Sequence, residues 1–340
     1  TYRPLREPYM TNLMLLPRAL ILLAPIIACA PFPQNAWSGE PVTLQLRWDY
    51  QFQFAGYIAA KWMGYYSDEG LDVDIRSAVR VDGTILSAIK EVEDGRAQFG
   101  IGAADILIAR DKGAPLVVLA TIFHESAAAF FSLPDTPMNS IGDFAKLKVA
   151  RNVDDLIDVE LQVMLTNEGI DPKSVTPYKH VPGVRRLLDG SVDVDPGYTI
   201  SLPFQLAEVG IKPKVIKPSR YGIDFYGDSL FTTEGLVDGD PGLVERFVRA
   251  SLKGWKYALE HPEEIADRIA KELPRTAPLK DVRGFNRFQA DEIEKLTLYP
   301  LVDIGHINPQ RWGMMHDHLM KSGLVSNALD LNRFIYDKET

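Results

Sequence analysis

Hydrophobic and polar positions form two kinds of block that alternate from residue 42 to about residue 239. Segments such as VTLQLRW (42–48) and LDVDIRSA (71–78) have the pattern of strands, and AGYIAAKWMGYYSDEG (55–70) has the pattern of a helix. The segment PLVVLATIF (115–123) is apolar at nearly every position, as in a parallel sheet that helices cover on both faces. This alternation of strands and helices predicts an α/β doubly wound fold.

Two extended segments that contain proline divide the predicted elements into groups. FFSLPDTP (130–137) and KPSRYGIDFYG (217–227) have the pattern of connections between two lobes, and the chain after Asp240 is mainly helical. We expect the chain to leave the first lobe, build the second and then return. The expected residues are 42–130 and 225–340 for lobe 1 and 134–217 for lobe 2.

Composition narrows the classes of function. The 340 residues carry a formal net charge of -9, which argues against a nucleic-acid partner because phosphates require a basic face. One cysteine, Cys29, excludes an internal disulfide and a thiolate-rich metal site. The sequence HDH (316–318) lies in a predicted helix, where positions i and i+2 point to different faces. We therefore assign it to a solvated helix surface and expect no metal site.

The N-terminal segment predicts export. Arg18 precedes an apolar run, residues 19–30, that is shorter than the roughly 20 residues a membrane-spanning helix needs. A small-x-small pattern, AWS, follows, so residues 1–38 have the pattern of upstream residues plus a signal peptide. The sequence IIAC (26–29) offers a second interpretation, because it resembles a lipobox that would place a lipid on Cys29. Both interpretations predict a periplasmic protein.

The first strand is followed by a loop rich in aromatic and amide side chains. Ligands of doubly wound sheets bind outside the carboxyl ends of the strands, and WDYQFQF (48–54) occupies this place. Aromatic rings stack on flat ligands, and glutamine amides both donate and accept hydrogen bonds. Phe52 and Phe54 have an alternative role as plugs of the lobe core. The candidate ligand contacts in this loop are Trp48, Gln51, Gln53 and Phe54.

Four ordered segments resemble one protein family. They are LRWDYQFQFAGYIAAKWMGYYSDEGLDVDI (46–75), FGIGAADILIARDKGAPLVVLATIF (99–123), YGIDFYGDSLFTTEGLV (221–237) and ASLKGWKYALEHPEEIA (250–266). Together they are similar to periplasmic receptors for thiamine pyrimidine precursors, which are related to the alkyl-sulfonate and nitrate receptors. The resemblance implies a type II periplasmic-binding fold, with two doubly wound lobes and two crossover segments. It also implies a monomer that closes on a small molecule and delivers it to an ABC permease.

One departure from the family concerns the ligand. In relatives, the segment that matches GYTISLPFQL (197–206) carries Asn-Glu before the proline, and that Glu can hydrogen-bond an aminopyrimidine. Here those positions are Ser201 and Leu202, whereas Tyr198 remains as a stacking residue. The resemblance favours a ligand like a thiamine pyrimidine precursor. The departure opens the alternative of another flat or polar solute, a neutral one included.

Further candidates follow other predicted strands. GIG (100–102) lacks the full dinucleotide fingerprint, but the turn at its end can present backbone N–H groups to a ligand. A histidine follows the apolar strand, and an asparagine opens a helix, where capping is the alternative role. Three residues of YGIDFYGD, namely Asp224, Tyr226 and Asp228, either line the cleft or brace the crossover. These candidates are Gly102, Ala103, Ala104, His124, Asn152, Asp224 and Tyr226.

Two other functions stay open beside transport. Relatives include sensor modules fused ahead of membrane helices, so a membrane signalling partner is the alternative to a permease. The family also includes the fungal thiamine pyrimidine synthase, which uses a cysteine-rich iron-binding run and a histidine in the first βα loop. This chain has one cysteine, and its loop QFQFAG (51–56) has no histidine. We therefore expect a receptor without catalytic residues or a cofactor, rather than an enzyme.

Overall fold

The computed structural model describes residues 39–152, 156–276 and 279–336, which belong to one compact unit. The predicted signal peptide, Cys29 included, lies outside the described residues. Among the helices that the structure describes, none is both long and apolar enough to span a bilayer. The described residues form two five-stranded sheets flanked by helices, so the predicted α/β fold is confirmed.

The two sheets use ten strands between them. In chain order these are β1 (Glu40–Gln45), β2 (Leu71–Arg76), β3 (Phe99–Gly102), β4 (Leu116–Thr121), β5 (Ala128–Ser132), β6 (Val149–Arg151), β7 (Pro177–Lys179), β8 (Val194–Tyr198), β9 (Lys214–Ile216) and β10 (Ser229–Thr233). The sheet of lobe 1 has the order β2-β1-β3-β10-β4, and the sheet of lobe 2 has the order β7-β6-β8-β5-β9.

Helices cover both sheets and fill the C-terminal part of the chain. In chain order they are α1 (Ala55–Trp62), α2 (Tyr65–Asp68), α3 (Ala88–Glu93), α4 (Ala104–Asp111), α5 (Leu156–Asn167), α6 (Arg185–Leu188), α7 (Leu202–Ala207), α8 (Glu234–Gly239), α9 (Pro241–Glu260), α10 (Pro262–Glu272), α11 (Val282–Thr297), α12 (Pro309–Lys321) and α13 (Leu331–Phe334). Short 3-10 turns include Phe52–Phe54, directly before α1.

Both sheets are mixed rather than purely parallel, and the sequence pattern does not predict β5 or β10 as strands. Each of these strands enters its sheet from a crossover and pairs antiparallel with its neighbours. Because β5 begins at Ala128, residues 128–130 lie in the second sheet, although the sequence placed them in lobe 1. We propose the crossovers, residues 122–127 and 217–228, as the lobe boundaries.

The two crossovers are joined to each other by backbone hydrogen bonds. Gly227 N donates to Phe123 O at 2.9 Å, and Ile122 N donates to Asp228 O at 2.9 Å. A pair of linked segments that connects two lobes is an arrangement in which a hinge motion can be concentrated. The same pairing also places Asp228, at the end of the second crossover, beside the carboxyl end of β4.

The loop after β1 rests on a tight helix contact. A Cβ atom added to Gly254 of α9 would lie 2.1 Å from the Gly56 carbonyl oxygen, and one added to Gly56 would lie 2.0 Å from the Trp255 ring. Trp255 is fully buried and packs edge-on against Tyr57, with ring centroids 5.6 Å apart. This close approach of α1 and α9 fixes the start of α1 and the loop that precedes it.

Candidate functional site

The loop 48–54 is held in place by α11 and by a buried aspartate. Phe52 N donates to Asn286 Oδ1 at 2.8 Å, and Gln53 N donates to Gln289 Oε1 at 3.3 Å. Asp49 accepts hydrogen bonds from the backbone N–H of Tyr50 at 2.9 Å and of Thr276 at 2.7 Å. These contacts satisfy the backbone of the loop within lobe 1, so its side chains are positioned by a rigid support.

A chain of polar contacts runs from this loop towards lobe 2. Gln51 Nε2 donates to Gln53 Oε1 at 2.6 Å, and Gln53 Nε2 donates to Asp228 Oδ2 at 2.8 Å. Arg47 donates from Nη1 to Asp228 Oδ1 at 3.3 Å, and from Nη2 to the Tyr198 hydroxyl at 3.5 Å. Because Tyr198 ends β8 of lobe 2, this chain of contacts bridges the two lobes.

A buried carboxyl group from lobe 2 lies near the same arginine. Glu160 of α5 is 1% exposed, and its Oε1 accepts a hydrogen bond from Ser126 Oγ at 2.5 Å. Burial raises the pKa of Glu160 to about 7, against the lowering effects of the Ser126 hydrogen bond and the Arg47 charge. Its Oε2 has no hydrogen-bond partner among the described residues.

Burial also raises the pKa of the Asp228 carboxyl, while the Arg47 charge and the Gln53 amide lower it. The site therefore combines two buried carboxyl groups with one guanidinium, and it can bind a donor-rich solute. We refer to its members as the cleft cluster: Arg47, Gln51, Gln53, Ser126, Glu160, Tyr198 and Asp228.

The aromatic candidates separate into two groups. Trp48 and Tyr198 are half-buried and pack at the edge of the lobe cores, where ring surface remains available. Phe52 and Phe54 are fully buried in the apolar core of lobe 1. We therefore propose a core role for Phe54, the alternative that the sequence left open, rather than a ligand contact. The aromatic clamp of Trp48 and Tyr198 stays a prediction.

An aromatic contact also joins the lobes. The ring of Phe204, on α7, lies 5.5 Å from Phe285 and 5.6 Å from Phe288 on α11, between centroids. The Arg275 guanidinium lies over the Phe285 ring at 5.0 Å. Because α11 also holds the loop 48–54, this contact links α7 of lobe 2 to the helix that supports the candidate ligand loop.

The predicted turn after β3 does not offer all of its backbone groups to a ligand. The Ala103 N–H donates to Asp105 Oδ1 at 2.6 Å, so it is used within the protein. Gly102 is tightly enclosed, since an added Cβ would lie 2.7 Å from Ile106. Ala104 is buried as the first residue of α4. The Asp105 charge raises the pKa of Asp228, so this turn lies near the cleft cluster without belonging to it.

His124, Asp224 and Tyr226 meet at the crossovers instead of in the cleft cluster. Arg311 of α12 donates to the His124 carbonyl oxygen and to Asp224 Oδ1, the latter at 2.6 Å, and its guanidinium lies 4.2 Å from the centre of the Tyr226 ring. Tyr226 contacts the His124 ring edge-on, with centroids 5.6 Å apart. These contacts favour the bracing role. We refer to His124, Asp224, Tyr226 and Arg311 as the crossover cluster.

Two further candidates lie elsewhere. Asn152 is exposed and borders a small cavity in lobe 2 beside Arg151 and Pro196. In the HDH segment, His316 is buried and its Nε2 lies 2.9 Å from the Asn327 carbonyl oxygen. The expectation of a solvated helix face is therefore wrong for His316, which packs against the C-terminal segment. The described residues contain no group of three His, Cys, Asp or Glu side chains suited to a metal ion.

A separate cavity of about 270 Å³ lies under the C-terminal segment of lobe 1. Its charged lining groups are engaged within the protein. Arg110 donates to Glu234 at 2.6 Å, and Asp111 accepts from the backbone N–H of Ser326 and Asn327 at 2.9 and 2.7 Å. The cleft cluster therefore remains the better candidate for a ligand site.

Several members of the cleft cluster are not predicted from the sequence. Arg47, Ser126 and Glu160 are not predicted, whereas Asp228 is named as a residue that either lines the cleft or braces the crossover. Arg47 lies within a segment that resembles the family, so it could have been found there. Glu160 occupies a predicted helical segment, DLIDVELQVMLTNEG (155–169), in which nothing distinguishes a buried carboxylate from a solvated one.

Comparisons with known proteins agree on the fold. The chain is 24% identical over 309 residues to the riboflavin-binding protein RibY of Chloroflexus aurantiacus, covering 89% of this chain and 87% of that protein. It is 24% identical to the formylaminopyrimidine-binding protein of Halalkalibacterium halodurans, covering 69% of each. It is also 24% identical to the 4-amino-5-hydroxymethyl-2-methylpyrimidine phosphate synthase of Legionella pneumophila, covering 69% of this chain and 74% of that enzyme.

Among solved structures, the periplasmic aliphatic sulphonate binding protein SsuA of Escherichia coli superposes with a TM-score of 0.66 at 15% identity. The superposition covers 88% of this chain and 93% of SsuA, which establishes the periplasmic-binding fold. The NMT1/THI5-like family matches residues 51–265, well over half of the chain. The chain therefore belongs to the NMT1/THI5-like family.

Proposed function

We propose that this protein is an extracytoplasmic receptor that binds one small, flat heteroaromatic solute between its two lobes and delivers it to an ABC permease. A ligand like a thiamine pyrimidine precursor is favoured. The observation that carries the proposal is the cleft cluster, in which buried polar side chains from both lobes and from both crossovers meet at Arg47. The half-buried rings of Trp48 and Tyr198 supply apolar surface beside these polar groups.

The charges of the cleft cluster support a neutral or basic ligand rather than an anion. Glu160 and Asp228 are two carboxyl groups beside one guanidinium, and that guanidinium already contacts Asp228 and the Tyr198 hydroxyl. A sulfonate would bring a permanent negative charge next to two carboxyl groups in a desolvated site, which is unfavourable. Two relatives whose names refer to riboflavin and formylaminopyrimidine, both flat nitrogen heterocycles, fit this expectation.

Export and the membrane partner belong to the same proposal. The apolar run before residue 31 supports a signal peptide or a lipidated Cys29. The SsuA fold supports handover to a permease, and a membrane signalling partner is the alternative. The name of the Legionella relative favours a synthase as a second candidate function. Absorbance of the purified protein at the wavelengths of a pyridoxal Schiff base would distinguish that enzyme from a receptor.

A thermal-shift panel tests the ligand class. The probes are 4-amino-2,5-dimethylpyrimidine, riboflavin and an alkanesulfonate, each at several concentrations. A ligand at about 100 times its dissociation constant stabilises the folded state by roughly 2.7 kcal/mol, which a melting assay resolves. We expect a flat heterocycle to raise the melting temperature and the alkanesulfonate to leave it unchanged. A shift with the sulfonate alone would contradict the proposal.

Closure of the lobes is tested separately by small-angle scattering with the probe that binds. The radius of gyration should fall on binding, because the paired crossovers allow the lobes to move as rigid bodies. An unchanged radius with a proven ligand would contradict a closing receptor while leaving binding itself intact.

A further inference from the structure

Glu160 is buried in a way that fixes the roles of its two oxygens. The Ser126 hydroxyl accepts a hydrogen bond from Ala128 N at 3.2 Å, so its own hydrogen is directed to Glu160 Oε1, which lies 2.5 Å away. Oε1 therefore acts as an acceptor. When the carboxyl group is protonated, the proton resides on Oε2, the oxygen without a partner among the described residues.

Burying a carboxyl oxygen without a hydrogen-bond partner costs free energy. A ligand that forms a hydrogen bond to this oxygen removes that cost. Oε1 has a second lone pair left after it accepts from Ser126, and Oε2 is free to donate its proton. One edge of Glu160 thus presents an acceptor beside a donor. Burial raises the pKa of Glu160 to about 7, so the protonated form is present near neutral pH. The complementary edge has an acceptor beside a donor, either a ring nitrogen beside an amino group or a carbonyl beside a ring N–H. The relative named for a formylaminopyrimidine favours the first.

We propose that Glu160, oriented by Ser126, is the specificity-determining residue of the cleft and recognises an amidine edge of the ligand, a ring nitrogen flanked by an amino group. This inference rests on the proposed function, because it names the chemistry of a ligand bound at the same site. The ring nitrogen accepts from Oε2, and the amino N–H donates to Oε1. Arg47 and Gln53 of lobe 1 and Asp228 of the second crossover contribute the remaining polar contacts.

The test compares two probes of the same shape. In 2,4,5-trimethylpyrimidine a methyl group replaces the amino group of 4-amino-2,5-dimethylpyrimidine. Affinities of both are measured by calorimetry for the wild type, Glu160→Met and Glu160→Gln. The wild type should prefer the amino probe at least tenfold, because the analogue leaves buried polar atoms unpaired. Glu160→Met removes both polar atoms, so the two probes should bind within about threefold of each other.

Glu160→Gln separates a recognition role from a structural one. A glutamine that keeps its carbonyl towards Ser126 presents an N–H where the protonated acid presents its O–H, so the preference for the amino probe should persist. A matched control is Asp195→Asn in lobe 2. Asp195 is also buried with one oxygen unpartnered among the described residues, but it pairs with His180 at 3.2 Å. Its variant should keep the wild-type preference.

Each outcome decides the question. A wild type that binds both probes equally overturns the role of Glu160 and leaves the proposed function standing. The role is also overturned if Glu160→Met folds and keeps the preference, or if Glu160→Gln loses it entirely. A wild type that binds neither probe nor riboflavin contradicts the proposed ligand class, and recognition of an amidine edge falls with it.

Discussion

The cleft cluster and the crossover cluster are both polar and partly buried, yet they differ in how their groups are used. In the crossover cluster, Arg311 binds a backbone carbonyl, a carboxylate and a ring face that all belong to the crossovers. In the cleft cluster, Glu160 Oε2 has no partner among the described residues, although Ser126 holds the other oxygen. His124 Nε2 of the crossover cluster also lacks a partner among the described residues, so an unmatched buried atom does not by itself identify a ligand site. The cleft cluster is distinguished by polar side chains from both lobes that meet at Arg47.

The two clusters also differ in their response to pH. Burial, with the positive charges of Arg311 and His306, lowers the pKa of His124 to about 4, so this histidine is neutral at pH 7. Burial raises the pKa of Glu160 to about 7, so this carboxyl group titrates near neutrality. His124 in the crossover cluster thus stays neutral across the physiological range, whereas Glu160 in the cleft cluster can exchange a proton there.

The largest effect is expected from Arg47→Met. The variant leaves Asp228 buried without its cation, and an uncompensated buried charge costs about 3–5 kcal/mol of unfolding free energy. Urea denaturation should show this loss, together with loss of binding to the amino probe. Arg249→Met is the control, because Arg249 forms an exposed pair with Glu69 and should matter little. Equal effects of the two variants would contradict the importance of the cleft ion pair.

A smaller loss is expected from Arg311→Met in the crossover cluster. The variant removes a charge-assisted hydrogen bond to the His124 carbonyl, worth about 1.5–3 kcal/mol of unfolding free energy. It should also raise the pKa of His124, because the Arg311 charge is one of the causes that lower it. NMR titration measures this shift. Ligand affinity should change much less than in Arg47→Met; a larger loss of affinity would place Arg311 in the ligand site.

The pH dependence of the stability of the unliganded protein distinguishes the cleft cluster from the crossover cluster. Because the pKa of Glu160 is raised from 4.5 to about 7 on folding, its contribution to stability is present below pH 4.5 and is lost as pH rises through 7. His124 acts oppositely, since its contribution is present above pH 6.5 and is lost as pH falls towards 4. Urea denaturation from pH 4 to 8 measures both. Glu160→Gln should abolish only the loss above pH 4.5, and His124→Asn only the acid loss.

The smallest effect on folding is expected from Trp48→Ala, which tests the aromatic clamp. If the ring faces the cleft, the ligand-free melting temperature should change little, and the shift induced by 4-amino-2,5-dimethylpyrimidine should be mostly lost. Phe52→Ala is the comparison within the same loop, and as a fully buried residue it should cost about 3–5 kcal/mol. A Trp48 variant that melts like Phe52→Ala and keeps its ligand shift would be a core residue.

Much of the fold can be predicted from the sequence pattern, because buried strands and helices place apolar residues at regular spacings. The apolar segment 115–123 contains β4, and the helical segments after Asp240 contain α9 to α12. The pattern fails at β5 and β10, which are short, carry prolines or glycines nearby and gain their partners only through the crossovers. Strands of that kind are defined by long-range pairing, which local periodicity does not record.

The candidate site is less predictable because it is assembled from distant segments. The loop 48–54 is in the expected place, and Gln53 contacts Asp228, 175 residues further along the chain. The loss of a glutamate at Leu202 is visible in the sequence, but the carboxyl group of Glu160 on another helix is not. Leu202 itself packs into the apolar cluster of lobe 2. Only the three-dimensional arrangement shows that the buried carboxyl group of Glu160 lies near Arg47.

Native mass spectrometry tests the central claim most directly. The wild type, Glu160→Met and Asp195→Asn are purified without denaturation and measured as purified and after incubation with 4-amino-2,5-dimethylpyrimidine or riboflavin. We predict one small molecule bound per wild-type and Asp195→Asn chain, and strongly reduced occupancy in Glu160→Met. No complex with any flat heterocycle, or equal occupancy in all three proteins, would contradict a receptor whose ligand is bound by the cleft cluster.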